Sequence, residues 1–551
     1  MHQYEEFLRD LLAKRGISSE KEADIFLNPD YERDLYDPYL MRDMERACVR
    51  LYEAIDNDEK VMIYADYDCD GIPGAVVLEG LFKLCNFKNY EIYIPGRNNE
   101  GYGLNMEAIE EFKEKGVKLL ITIDLGITAV LEVAQAQVYG MDVIITDHHL
   151  PKETLPRAYA ILNPKVDEYP EKMLCGAGVV FKFVQGFIKK YKEYFKIKKG
   201  AEKWMLDMVG LATLSDMVPL LGENRALAYY GLKVLQKSRR PGLQKLLAKM
   251  NIEQKYLTED DVGFMLTPRL NAASRMDDPR RAYELLATVD EAEAGALADH
   301  LSKINDERKY IVANIMRDVK KTFEKREMRE VVVVGNPSWR VGVLGLVAGK
   351  ISDEYQKPVF VWGKDENDAI KGSCRSDGSV SLVELMTESS EFFLEYGGHE
   401  LAGGFTVHSE KIHFLEENLS SSFEKVKKEK FGKDANYDLK ENLEVVNMKN
   451  WREIEKMAPF GMENPKPVFL FENVKIEKIK KFGKNGSGEH LEIIFSDGKE
   501  KEVKAISFFS GLDSFDISLT EGNLVNLLAT FDLSRFGWRE ELRLRIVSIT
   551  P

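Results

Sequence analysis

From residue 60 onward the chain alternates short apolar runs with amphipathic stretches: VMIYA (61–65), GAVVLEGLFKLC (74–85), YEIYIP (90–95), NMEAIEEFKEKG (105–116), KLLITID (118–124), ITAVLEVAQAQVYG (127–140) and DVIITD (142–147). Strand-like runs separated by segments of helical period predict a parallel sheet with helices on its faces. Ahead of it, EEFLRDLLAKRG (5–16) and PYLMRDMERACVRLYEAI (38–55) have apolar residues at helical spacing and predict a helical segment over 1–55. Residues 170–250 read as mostly helical. Residues 281–329, with no proline and one glycine, read as a long helix with Leu297, Leu301, Ile304, Ile311, Ile315, Val319 and Phe323 along one face. A second α/β region runs from EVVVVG (330–335) through PVFVW (358–362) and GGHELAGGFTV (397–407). After 440, repeated strand-like runs alternate with turns and predict a small antiparallel barrel.

Composition narrows this picture. A chain of 551 residues is too long for one core, and about 150 residues per domain predicts roughly three or four units. Hydrophobic residues at 44% and charged residues at 31% fit a soluble globular protein, and no apolar run approaches the ~20 residues of a membrane helix. The first residues fit neither a signal nor a transit peptide, so a cytoplasmic protein is expected. Five scattered cysteines make no C-x-x-C pair and read as reduced packing residues. The net charge of -15 argues against indiscriminate coating of nucleic acid while leaving room for a narrow basic channel. Basic runs at 188–199, 425–433 and 475–484 read singly as solvated faces.

The chemistry starts at DYDCDG, which sets Asp66, Asp68 and Asp70 at every second position. A calcium-binding helix-loop-helix would need a bidentate glutamate at the twelfth loop position; that position is Val77, and the run before the loop is strand-like. In a parallel α/β sheet, ligands collect beyond the carboxyl ends of the strands. KLLITID ends on Asp124, and DVIITD ends on Asp147, followed by His148 and His149. Three strand ends bringing carboxylates to one edge would repel each other unless cations lay among them. Asp216, a lone acid in LATLSDMVPL, reads as a further ligand or as a helix cap.

Oxygen-rich donors with one or two imidazoles suit Mn²⁺ or Mg²⁺, and shared carboxylates suit two ions. There is no G-x-x-x-x-G-K-[ST] run and no G-x-S-x-G elbow, which leaves metal-assisted phosphoester hydrolysis as the leading class. Arg269, Asn271 and Arg275 in PRLNAASRM, Ser373 and Arg375 in KGSCRSDG, and His399 in YGGHELAGG are candidates for holding phosphate. Each alone also reads as a solvated arginine or a structural histidine.

Taken together, DYDCDG, TIDLGIT, TDHHLP, LNP, CGAGVVF, LSDMVPL, PRLNAASRM, INDERK, WRVGVLGLVAGKI, GSCRS, GGHELAGG and PFGMENPKPVF closely resemble the DHH phosphoesterase superfamily and, within it, its single-strand-specific exonucleases. The resemblance implies an α/β chain: a parallel-sheet DHH domain (56–280) after the helical segment (1–55), a long connecting helix (281–329), a smaller α/β DHH-associated domain (330–432) and an OB-type barrel (433–551). It implies Asp68, Asp70, Asp124, Asp147, His148 and Asp216 as ligands of two Mn²⁺ or Mg²⁺ ions, with Asp66 added or supporting. His149 would lie beside the scissile phosphate or behind a ligand, so that Asp147, His148 and His149 are the catalytic set. Arg269, Asn271, Arg275, Ser373, Arg375 and His399 would form the substrate-binding set.

The activity so implied degrades single-stranded DNA from the 5′ end to 5′-mononucleotides, in recombination and repair. A monomer is expected, with a helicase and a single-strand-binding protein as partners and no membrane. Hydrolysis restricted to small nucleotides or polyphosphate, and a non-catalytic scaffold, are the competing readings. Two positions depart from the pattern: Tyr64 stands where many relatives have a histidine, and Arg340 follows Trp339 where a histidine is common.

Overall fold

A computed structural model describes residues 3–97, 100–101, 103–166, 168–428, 437–483, 490–497, 501–508, 510–515, 517–535 and 540–551. Residues 429–433 of the second basic run and Lys484 of the third lie outside the described residues. The chain folds as two compact units, one of Tyr36–Val218 with Tyr230–Gly432, the other of Met1–Leu35 with Pro219–Tyr229 and Lys433–Pro551. No described helix is long and apolar enough to cross a membrane.

The larger unit holds two sheets. The first contains β1 (Val61–Ala65), β2 (Tyr90–Tyr93), β3 (Leu119–Ile123), β4 (Asp142–Thr146) and β5 (Ala160–Leu162), ordered β2-β1-β3-β4-β5 with every pair parallel. β1 and β3 are buried along their whole length, as expected of central strands covered on both faces. On one face Ile109, Phe112, Val133 and Ala136 pack over Leu120, Val143 and Ile145. Parallel pairing puts all five strand ends at one edge, and the candidate site is built there.

The long helix spans Glu291–Phe323, with Asp290 accepting from the amides of Ala292 and Glu293 at its start. Residues expected in its first turns form a separate helix, Arg280–Ala287, because Thr288 is extended and Asp290 caps a new start. Leu297, Leu301, Ile304, Ile315 and Val319 are buried, while Ile311 and Phe323 are half-buried. Beyond it, β6 (Val332–Gly335), β7 (Val359–Lys364), β8 (Ile370–Arg375), β9 (Phe393–Gly398) and β10 (Ala402–Val407) make a mixed sheet ordered β6-β7-β8-β10-β9. Two reciprocal bonds join this region to the Thr267–Met276 helix: Arg275 Nη1 donates to Gly342 O (3.3 Å), and Arg340 Nη2 donates to Met276 O (2.7 Å). Arg340, where a histidine is common, thus holds the carboxyl end of a helix.

The smaller unit is a barrel of β11 (Leu439–Lys440), β12 (Phe469–Phe482), β13 (His490–Ser496), β14 (Glu502–Phe508), β15 (Leu524–Ser534) and β16 (Glu541–Thr550), in the order β11-β12-β13-β14-β16-β15, with β12 pairing β15 to close it. β14 and β16 run parallel, so the barrel is mixed, where alternation alone predicted an antiparallel one. A period of two records which face a residue occupies but not strand direction. Leu8, Leu11 and Leu12 of the Glu6–Lys14 helix lie in the barrel core with Leu443, Ile454 and Phe469. The segment expected as one helical unit over 1–55 is therefore divided: the Met44–Asp56 helix belongs to the larger unit. Both helices are amphipathic, and an apolar stripe does not say what covers it. Buried Arg225 ties the smaller unit together by donating to the carbonyls of Phe26, Met457, Ala458 and Pro459.

Candidate metal centre

Each strand end carries its side chains into a small volume. After β1, Asp66 N donates to Ile123 O (3.1 Å), which fixes the turn against β3. Asp68 Oδ1 accepts from the amides of Asp70 (2.8 Å) and Gly71 (3.3 Å). Asp70 accepts from the amides of Gly176 (2.5 Å) and Ala177 (2.7 Å), the first N–H groups of the Gly176–Tyr191 helix, so a carboxylate from a distant turn sits at a helix start. Asp124 follows β3 in the left-handed region, at φ 62°.

Three groups of ligand atoms result, those in each group lying within 4.8 Å of one another: Asp66, Asp68 and Asp124; Asp124, His148 and His149; and Asp70, His148 and Asp216. Asp124 and His148 are shared, which makes the three one continuous cluster. His148 Nε2 lies 3.1 Å from Asp124 Oδ1, 3.7 Å from Asp70 Oδ2 and 3.8 Å from Asp216 Oδ2.

Asp147 stands in none of these groups. Its Oδ1 accepts from His148 N (2.7 Å) and His149 N (3.0 Å) and meets His149 Nδ1 at 2.8 Å, while Oδ2 accepts from Ile127 N (2.9 Å). It thus bonds the backbone of both histidines and the ring of His149. Tyr64 is turned away into the core, its ring 5.2 Å from that of Tyr93 and its hydroxyl donating to Gly103 O. Asp66 by contrast is in the cluster, and its buried Oδ1 has no hydrogen-bond partner.

The electrostatics fit a cation. Burial, and then Asp68, push Asp66 well above the usual carboxylate range. Burial and Asp68 push Asp70 up to about 7; burial, Asp70 and Asp68 push Asp216 up to about 9; burial and Asp70 raise Asp124 strongly. Burial and neighbouring His149 push His148 down to about 3, leaving it neutral with a lone pair to give. Burial also opposes charge on His149, but its bond to Asp147 prevails and holds its proton to higher pH. Four carboxylates that resist ionising together, one with an unpartnered buried oxygen, suit divalent metal ions. Asp66, Asp68, Asp70, Asp124, His148 and Asp216 would hold them.

A pH dependence follows. Asp70 and Asp216 titrate at about 7 and about 9 in the fold, against about 3.9 in an unfolded chain. The fold therefore binds more protons than the unfolded chain across that window, and metal-free stability falls as pH rises through it. Because cations replace those protons, the rise in melting temperature on adding Mn²⁺ is expected to be larger at about pH 8 than at about pH 6. Differential scanning fluorimetry checks this, and equal rises would contradict it.

Cations of the chain border the cluster. Arg275 is pushed down to about 9 by burial and by Arg97, Arg308 and Arg375, so these guanidiniums lie within electrostatic reach of it. Arg97 stands 5.1 Å over the Tyr67 ring. Among the described residues none of Arg97, Arg275, Arg308 and Arg375 forms an ion pair. Ser373 lies beside Arg375 on one side of β8. His399, in the turn from β9 to β10, is depressed by burial and then by His149 and Lys165, which brings it to the histidine side of the cluster. Arg269 Nη1 donates to Met265 O (2.7 Å), and its acidic neighbour is Asp306. Asn271 Oδ1 is buried without a partner.

Arg97, Lys165 and Gly176 were not singled out from the sequence. Arg97 follows β2 and Lys165 follows β5, so the strand-end rule applied to all five strands finds both. Lys165 Nζ donates to His148 O (2.5 Å) and lowers Asp216 electrostatically. A Cβ at Gly176 would stand 2.6 Å from Asp124 Cβ, a close approach only glycine permits.

The chain is similar to known proteins over nearly its whole length. The N-terminal domain of the DHH family matches residues 60–213, the DHHA1 domain residues 328–427 and the RecJ OB domain residues 437–548. The single-stranded-DNA-specific exonuclease RecJ of Haemophilus influenzae is 30% identical over 562 residues, covering 98% of this chain and 95% of that protein. The chain belongs to the RecJ family. The RecJ of Bacillus subtilis is 34% identical over 542 residues, covering 97% of this chain and 67% of that protein. RecJ from Thermus thermophilus, solved in complex with Mn²⁺, superposes with a TM-score of 0.81 at 25% identity, covering 99% of this chain and 76% of that one. An exonuclease RecJ bound to manganese gives 0.61 at 30% identity, over 70% of this chain and 95% of that one.

Proposed function

We propose that this RecJ-family chain is a metal-dependent exonuclease that degrades single-stranded DNA from the 5′ end, releasing 5′-mononucleotides in recombination and repair. The observation that carries the reading is the continuous cluster of Asp66, Asp68, Asp70, Asp124, His148 and Asp216 bordered by Arg97, Arg275 and Arg375, which form no ion pair among the described residues. Two divalent ions, Mn²⁺ or Mg²⁺, would supply Lewis-acid polarisation of the phosphodiester and an activated water.

The chain's own residues do the rest. Arg97, Arg275, Ser373 and Arg375 hold the 5′-terminal phosphate, whose second negative charge favours it over an internal diester. Asp147 keeps His148 presented through Nε2 and keeps His149 protonated beside the phosphate undergoing attack. Water adds to the phosphorus of the first phosphodiester, the P–O3′ bond breaks, the freed 3′-oxygen takes a proton, and the remaining strand keeps a 5′-phosphate for the next cycle. His399 and Lys165 place positive charge and donors near the histidines. A helicase and a single-strand-binding protein are the partners this activity calls for, in the cytoplasm.

Substrate class is tested with a length series of 5′-phosphorylated single strands, the matching duplex and a dinucleotide, each with Mn²⁺. The expected result is hydrolysis of every single strand and a much slower reaction on duplex. Hydrolysis of the dinucleotide alone would overturn the reading in favour of small-nucleotide chemistry.

A further inference from the structure

The Asp147-His148-His149 segment is held from the end of β5 as well as by its own aspartate. Asp147 N donates to Leu162 O (3.1 Å), which carries the parallel pairing of β4 and β5 one residue past the strands. Directly after it, Asn163 Nδ2 donates to His149 O (3.0 Å), and Lys165 Nζ donates to His148 O (2.5 Å). Asn163 Oδ1 accepts from Lys165 N (2.8 Å), so the residue that grips His149 also sets the turn from which Lys165 reaches His148. Asn163 is completely buried. What its side chain holds is backbone, not substrate.

The position makes a specific demand. It needs a donor for the His149 carbonyl and an acceptor for the Lys165 amide, both on a side chain short enough to close a tight turn, and asparagine supplies both. Its neighbours in size and shape do not. Aspartate would keep the acceptor, lose the donor and bring one more buried carboxylate to a cluster whose carboxylates already resist ionising. Glutamine would carry the amide a methylene too far, and alanine would leave a carbonyl and an amide without their partner. Pro164, between the two, fixes its own φ and keeps the turn short of alternatives.

The consequence reaches the metal cluster through the backbone. His148 stands in two of the three ligand groups, and its Nε2 lies 3.1 Å from Asp124 Oδ1. Its ring also bonds the Leu174 backbone, which fixes how the ring is turned; the bond to its carbonyl fixes where the ring starts from. We infer that Asn163 is a positioning residue for the metal centre, clamping the carbonyls of His148 and His149 together with Lys165 so that His148 stays aimed at the shared carboxylates. The inference rests on the metal-dependent reading above. Lys165 also contributes charge, whereas Asn163 is neutral, so a change at Asn163 alters position and leaves local charge as it was.

A mutant cycle tests it with the full chain. Mn²⁺ affinity is measured by calorimetry, kcat on a single strand at saturating Mn²⁺, and affinity for that strand by fluorescence anisotropy in excess Ca²⁺. Groups that hold a metal ligand from behind are worth about 10- to 100-fold in metal affinity or activity. Asn163→Ala is expected to weaken Mn²⁺ binding and lower kcat by that order, while strand affinity changes by less than about threefold. Lys165→Met should weaken Mn²⁺ binding by about tenfold, and Lys165→Arg, which keeps a donor, by less than about threefold. Both residues act on one segment, so the double variant Asn163→Ala, Lys165→Met should lose less than the product of the two single losses.

Unchanged Mn²⁺ affinity in a folded Asn163→Ala protein would overturn the clamp, and so would an equal loss of strand affinity, which marks general damage to the fold. If Asn163→Ala does not fold, the lysine pair decides: equal Mn²⁺ affinities in Lys165→Met and Lys165→Arg would overturn it, and the expected gap would support it. Weakened Mn²⁺ binding in the variants of a protein that cuts no strand would sink the exonuclease reading and leave the clamp standing.

Discussion

Asp124→Asn is expected to abolish hydrolysis of single strands, by on the order of 10³-fold or more, while raising the melting temperature of the metal-free protein at alkaline pH. Asp124 takes part in two of the three ligand groups and lies 3.1 Å from His148 Nε2. Its carboxyl is raised first by burial and then by Asp70, Asp68, Asp66 and Asp216, so without cations it disfavours the ionised state. The amide resembles the neutral carboxylic acid at every pH. Above the unfolded carboxyl range the wild-type fold must retain a proton or bury a charge, and the variant does neither. At about pH 8 in EDTA the variant should therefore melt a few degrees above wild type, and the difference should shrink toward zero as pH falls to the unfolded carboxyl range at about pH 4. Scanning fluorimetry at the two pH values, beside an activity assay, checks both halves. A variant that melts lower at alkaline pH would show that Asp124 holds the fold together instead of straining it.

Gly176→Ala is the second large effect. The added methyl carbon would stand 2.6 Å from Asp124 Cβ and 2.8 Å from its Oδ1. Gly176 N also donates to Asp70, so a shift of this helix start disturbs two carboxylates of the cluster. Overpacking of this kind costs about 1–3 kcal/mol and here displaces Asp124 from His148. The expected outcome is a retained fold with activity lower by about 10²-fold and weaker Mn²⁺ binding by calorimetry, as for a misplaced reacting group. Full activity would mean that the cluster tolerates movement the tight packing forbids.

Much of the site was readable because a strand's end is visible in its pattern. VMIYA, KLLITID and DVIITD each stop at an aspartate, and parallel pairing makes those stops neighbours. The same logic reaches Arg97 and Lys165 once β2 and β5 are included. Geometry supplied what spacing could not. Asp147 is two residues or fewer from both histidines whatever its role, and spacing alone does not give its hydrogen bonds to the His149 amide and ring. Gly176 is one of 40 glycines in the sequence, and its role lies in a contact with a strand end 52 positions away, between residues 124 and 176. The parallel β14–β16 pair and the docking of Leu8, Leu11 and Leu12 in the barrel core are long-range choices that local periodicity does not encode.

The cluster is expected to remove nucleotides one at a time from the 5′ end. The most direct measurement follows a 3′-labelled, 5′-phosphorylated single strand with Mn²⁺, alongside the same strand blocked at its 5′ end and the Asp124→Asn protein. The expected result is label passing through successively shorter strands, unlabelled 5′-mononucleotides from the first turnover, and neither with the blocked strand or the variant. Immediate release of the label, or cleavage of the 5′-blocked strand at the same rate, would contradict it.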